Sequence, residues 1–87
     1  MEKSTHSPHY TVFKKRLVDL RKNMDMSQRD LAARLDVPRS FVSRIELGER
    51  RLDMVEFYWV CRGLGVDPLD IAMQLMKEFR RLERGRT

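Results

Sequence analysis

SQRDLAARLDVPRSFVSRIEL, residues 27–47, falls into two short helical patterns on either side of a break. In the first, Leu31, Ala32 and Leu35 recur at helical spacing, and Ser27 followed by Asp30 three residues on is a capping-box-like start. Asp36-Val37-Pro38 interrupts that pattern. The second has Phe41, Val42 and Ile45 as its apolar positions, with Arg39, Ser40, Ser43 and Arg44 on its other faces. Gly48 stands just beyond its end, where a left-handed cap is wanted.

Two helices that cross at a wide angle over a short turn need a small residue where their backbones meet, and Ala32 occupies that place. Val37, with Val42 or Ile45, fills the inner angle. The start of the second helix is then left projecting outward with Arg39, Ser40 and Arg44, side chains suited to the edges of bases in a DNA major groove. The plainer alternative is a helical hairpin of a small bundle whose arginines are simply solvated.

The combination of Ser-Gln opening the first helix, Leu-Ala within it and Ser-Arg-Ile-Glu-x-Gly closing the second resembles the helix-turn-helix of the lambda-repressor-like, Cro-type (XRE) family. The likeness runs from about Phe13 to Leu75. It implies an all-α, five-helix DNA-binding domain, here residues 9–80, with a flexible tail over 1–8 and a basic tail over 81–87. It also implies that Arg21 pairs with Glu46 as a structural ion pair, that Gln28 braces the start of the recognition helix while meeting a phosphate, and that Arg50 and Arg51 touch phosphates. Asp25 and Asp36 depart from the family, which usually has glycine in a left-handed turn at these places; aspartate tolerates that conformation better than most residues. Pro38 stands where a serine or threonine cap is usual, and proline suits a first helical turn.

Outward from the motif, Ser7-Pro8 is a helix start, and Phe13, Leu17, Leu20 and Met24 form one apolar stripe on a helix over about residues 9–24. Lys14, Lys15, Arg16 and Lys22 line the rest of its surface. After the short basic loop Glu49-Arg50-Arg51, Asp53 with Glu56 opens a fourth helix that ends at Leu64 before Gly65. Met54, Phe57, Val60, Cys61 and Leu64 are its expected core face, with Tyr58 and Trp59 off it. Asp67-Pro68 opens a fifth, whose stripe of Leu69, Ala72, Met73, Met76 and Phe79 is widened by Ile71, Leu75 and Leu82. That is more apolar surface than one small core needs. Trp59, Leu75, Met76, Phe79 and Leu82 are therefore the expected dimer surface, the alternative being that they complete the core. Family members usually pair as two-fold dimers, which set two recognition helices about one DNA turn, roughly 34 Å, apart.

At 87 residues the chain has room for one core, and its net charge of +5 points to a polyanionic partner. With Cys61 as the single cysteine there is no intrachain disulfide, which fits a reducing cytoplasm. No apolar run reaches the roughly 18 residues of a membrane span, and no signal-peptide core is present. No catalytic constellation, cofactor motif or metal pattern is found; His6 and His9 lie too near the end, with too few partners, for a metal site.

Arg39 and Arg44 each suit the O6 and N7 acceptors of guanine, Ser40 a shorter base or backbone contact, and Ser43 a weaker one. Gln28 at a helix start, with Arg50 and Arg51, suits the phosphates. The expected function is a dimeric, sequence-specific transcriptional regulator of a double-stranded DNA operator. It resembles phage and plasmid repressors and the short controllers of restriction-modification systems, with no sensing or protease-like module expected after the domain. The alternatives are an antitoxin that binds a toxin protein and autoregulates its operon, and an interaction adaptor that has lost DNA binding.

Overall fold

All helices but the third begin where a side-chain oxygen takes up a first-turn amide that has no carbonyl of its own to bond. The computed structural model describes residues 7–85; most of the expected N-terminal tail, His6 included, and the last two residues lie outside that range. The described residues form α1 (Pro8–Asn23), α2 (Gln28–Leu35), α3 (Arg39–Leu47), α4 (Met54–Leu64) and α5 (Pro68–Arg84), with no strand among them. Ser7 accepts from the Tyr10 amide at 3.1 Å, and full capping boxes join Ser27 with Asp30 and Asp53 with Glu56. Asp67 caps α5 by accepting from the Leu69 amide at 2.9 Å. The carboxyls of Asp30 and Glu56 are held below their ordinary range, Asp30 chiefly by the Ser27 amide and Glu56 chiefly by Arg50.

The break between α2 and α3 is a left-handed turn at Asp36, whose φ of 56° matches that of Asp25 after α1. Pro38 does not enter α3. It is the N-cap residue, without a side-chain bond, because proline carries no cap acceptor; its carbonyl instead receives the Phe41 amide at 3.0 Å. Gly48 ends α3 at a φ of 81°, a conformation in which any Cβ is strained.

The core has two parts. Leu17 of α1, Leu31 and Ala32 of α2, Val42 and Ile45 of α3, and Val60 and Leu64 of α4 form the first, with Met26 and the half-buried Val37 closing the inner angle of the motif. Cys61, Ile71 and Leu75 form the second, under Val12, Phe13 and Phe79. Gly63 lets α4 approach α2: a Cβ there lies only 2.7 Å from Leu35 Cδ2. Arg16 of α1 reaches Gln74 and Glu78 of α5 on the other side of the molecule. Burial pushes the Cys61 thiol up to about 11, which makes it an inert core group at neutral pH.

Several expected positions shift. Met24 is the exposed C-cap of α1, and buried Tyr10 and Arg21 complete the inward face in its place. Met54 is 86% exposed, because the first residue of α4 lies beyond the reach of the core. On α5, burial follows Ile71 and Leu75, while Leu69, Met73 and Met76 face out. Leu75 is only 3% exposed, so the expectation that it forms part of a dimer surface is corrected: it is already enclosed within one chain by Ile71 and Cys61. Phe79 and Leu82 are half-buried, Phe79 with its ring edge-on to His9 at 5.4 Å. The helix runs on through its charge-dense end to Arg84.

Candidate nucleic-acid interface

A chain of hydrogen bonds from α1 to the first residue of α3 sets the exposed end of the motif. Arg21, 8% exposed, donates from Nε to Glu46 Oε2 at 2.7 Å and from Nη2 to Oε1 at 3.0 Å. Its remaining Nη1 donates to the Met26 carbonyl at 2.7 Å. This two-point contact fixes the last turn of α3 against α1 and the linker to α2. Gln28 Nε2 donates to the same Glu46 Oε1 at 2.9 Å, and Gln28 Oε1 accepts from Arg39 Nη1 at 3.1 Å. Both ends of the Gln28 amide are thus engaged within the protein, and the first-turn backbone amide of α2 is what remains to meet an anion.

The outward face of α3 carries exposed Arg39, Ser40 and Arg44, with Ser43 half-buried beside them. Their orientation follows from the inward turn of Val42 and Ile45, both buried. Leu47 lies on the same face, one turn after Ser43, and is exposed. Leu47 is not among the contacts expected from the sequence, although Ser40, Ser43 and Leu47 at i, i+3 and i+7 share one side of a helix. A large apolar group there matches the chemistry of a thymine methyl.

Beyond α3, the loop carries two arginines whose places are set by neighbours. Arg50 donates from Nη2 to Glu56 Oε2 at 2.7 Å and lies over the Phe41 ring at 4.7 Å. Arg51 lies over the Tyr10 ring at 5.0 Å. Lys14 of α1 lies beside Gly48 at the start of this loop. Cations from α1 and the loop therefore gather around the C-terminal end of α3, while Gln28 marks the other end of the motif.

The remaining sequence-named residues lie elsewhere. Trp59, 59% exposed, and Met76, 58% exposed, stand with Met54, Val55, Leu69 and Met73 on the outer surfaces of α4 and α5. Tyr58 joins them with its ring edge-on to Trp59. Among the described residues no cluster of His, Cys, Asp and Glu side chains could hold a metal ion, and no helix is long and apolar enough to cross a membrane.

Comparison with known proteins bears on this geometry. A family model described as helix-turn-helix matches residues 17–71. The control protein C.MunI from Mycoplasma sp. is 34% identical over 67 residues, covering 76% of this chain and 90% of its own length. An XRE-family-like protein from Pseudomonas syringae pv. tomato str. DC3000 has a solved structure that superposes with a TM-score of 0.80 at 41% identity, over 84% of this chain and 89% of that one.

Proposed function

The chain belongs to the XRE-type helix-turn-helix family, and on that premise we propose that it is a sequence-specific, double-stranded-DNA-binding transcriptional regulator, a dimeric repressor or controller rather than an enzyme, working in the cytoplasm. The observation that carries this reading is the brace Arg21–Glu46–Gln28–Arg39, which presents the outward face of α3 as a preset surface. Arg39 and Arg44 read guanine edges, Ser40 and Ser43 make shorter contacts, and Leu47 meets a thymine methyl. The backbone amide of Gln28, with Arg50 and Arg51, binds phosphate. The likeness to a control protein favours the controller over the antitoxin alternative.

A module of this size has few base-reading side chains, so two copies are needed for a useful operator. The exposed apolar groups of α4 and α5, with Trp59, Met76, Met73 and Leu69 prominent among them, are the surface through which we propose that the copies pair. Phe79 and Leu82 border it.

Two measurements test the DNA reading. Affinity for duplex falls steeply with salt, with a log–log slope of about −4 for a dimer in which Arg50 and Arg51 of each protomer neutralise phosphates at ~0.9 each. Salt-insensitive binding, or no preference for duplex over a heparin-like polyanion, contradicts it. Arg44→Ala costs ~1–3 kcal/mol of specific binding and relaxes preference at one base position in each half-site, with no loss of fold. A variant that unfolds, or one that keeps the parent's base preference, shows that another face of α3 meets the groove.

A further inference from the structure

Six residues, Gly48–Asp53, connect the recognition helix to α4, and their path is held at three points. At its start the amides of Glu49 and Arg50 donate back to the Arg44 carbonyl, at 2.8 and 3.3 Å. At its end the capping box of Asp53 and Glu56 closes the entry to α4. The middle is held from a distant part of the chain: the Leu52 amide donates to the Tyr10 hydroxyl at 2.9 Å, across 42 residues of sequence.

Tyr10 is well placed to act as a fixed support. It is buried, in the first turn of α1, and its own amide donates to the capping Ser7. Its ring packs edge-on against Phe13 at 5.3 Å, and Phe13 packs in turn on Phe57 of α4 at 5.7 Å. The outer side of the same ring carries the Arg51 guanidinium at 5.0 Å. One side chain therefore fixes the loop backbone through its hydroxyl and the loop cation through its ring. A long arginine side chain loses rotamer freedom when it binds phosphate, and a support that removes this freedom in advance favours binding.

Building on the DNA reading, we infer that Tyr10 is a positioning residue for DNA-backbone binding: it holds the loop after the recognition helix so that Arg51 is aimed at phosphate before the duplex arrives. Tyr10 itself touches no base. Its contribution is to affinity for any duplex, while base choice stays with α3, which is held separately through Arg21 and Glu46.

The test compares the parent with Tyr10→Phe, Arg51→Ala and the double variant, titrating each with duplexes of several sequences over a range of salt. Tyr10→Phe keeps the ring and removes only the hydroxyl. It should weaken binding to every duplex alike, by ~3–10-fold, and make the log–log salt slope shallower by about 0.9 per protomer. Arg51→Ala should do the same, and the double variant should lose little beyond either single one, because both act through one contact. The Leu52 amide should exchange slowly in the parent and faster in Tyr10→Phe. Parent-like affinity and slope in Tyr10→Phe, or losses that add in the double variant, would overturn the inference alone. So would equal exchange rates at Leu52. A parent that binds no duplex would overturn the DNA reading and this inference with it. A shift in thermal midpoint with an unchanged salt slope marks Tyr10 as a structural residue only, and also overturns the inference.

Discussion

Glu46→Ala lowers the free energy of unfolding by ~3–5 kcal/mol, because it leaves the Arg21 guanidinium buried with the Met26 carbonyl as its remaining acceptor. Small domains have total stabilities of about 5–15 kcal/mol, so the loss is a large share of the whole. Gln28 also loses its acceptor, and with it the brace on Arg39. Urea unfolding followed by far-ultraviolet circular dichroism reads the effect. Replacing both charges, Arg21→Met with Glu46→Leu, should restore much of the loss, since the cost arises from an uncompensated charge. A single variant as stable as the parent shows that the pair is solvated in solution and does not set the angle of α3.

Met76→Glu places a carboxylate in the proposed pairing surface, and two-fold symmetry makes it appear twice. The expected result is a folded monomer whose dimer dissociation constant rises by about 100-fold or more, some 3 kcal/mol. Met76 is exposed in the single chain, so the substitution leaves the core alone. Phe79 offers no such clean test, because it covers Ile71 and Leu75 and packs against His9. Operator affinity of the variant falls with its dimerisation, while each protomer still contacts a half-site weakly. Sedimentation of parent and variant at micromolar concentration decides it. A parent that is monomeric there, or a variant that stays dimeric, contradicts the α4–α5 interface.

The elements legible in the sequence are those governed by local chemistry. Ser27 with Asp30, Asp53 with Glu56, and Gly48 each mark a helix boundary through bonds or dihedral angles that involve only neighbouring residues. Which apolar face a helix buries is a different kind of question. On α5, Leu69, Met73 and Met76 recur at helical spacing as regularly as Ile71, Leu75 and Leu82, and periodicity alone cannot choose between two stripes. The choice is made by where α1 and α4 lie: Phe13 and Cys61 enclose Ile71 and Leu75. Met54 looks like a core residue by identity, yet it stands at the first position of α4 and faces solvent.

The candidate site divides in the same way. The positions of Arg39, Ser40, Ser43 and Arg44 follow from the spacing of Val42 and Ile45, which turn inward and leave these side chains outside. The engagement of Gln28 at both ends, the stacking of Arg50 on Phe41 and the support of Arg51 by Tyr10 depend on contacts between separate elements. Nothing in a tyrosine in the first turn of a helix announces that its hydroxyl will meet an amide 42 residues on, in a loop beyond α2 and α3. Family resemblance supplied the Arg21–Glu46 pair, which spans 25 residues and which no local pattern would have suggested.

In the proposed function, α3 reads sequence in duplex DNA as one half of a pair. Repeated selection of bound duplexes from a random pool, followed by sequencing, tests it most directly. The expected result is an enriched pseudo-palindrome whose half-site centres lie ~10–11 base pairs apart. A pool that never enriches a common motif while the folded protein retains duplex affinity would contradict it.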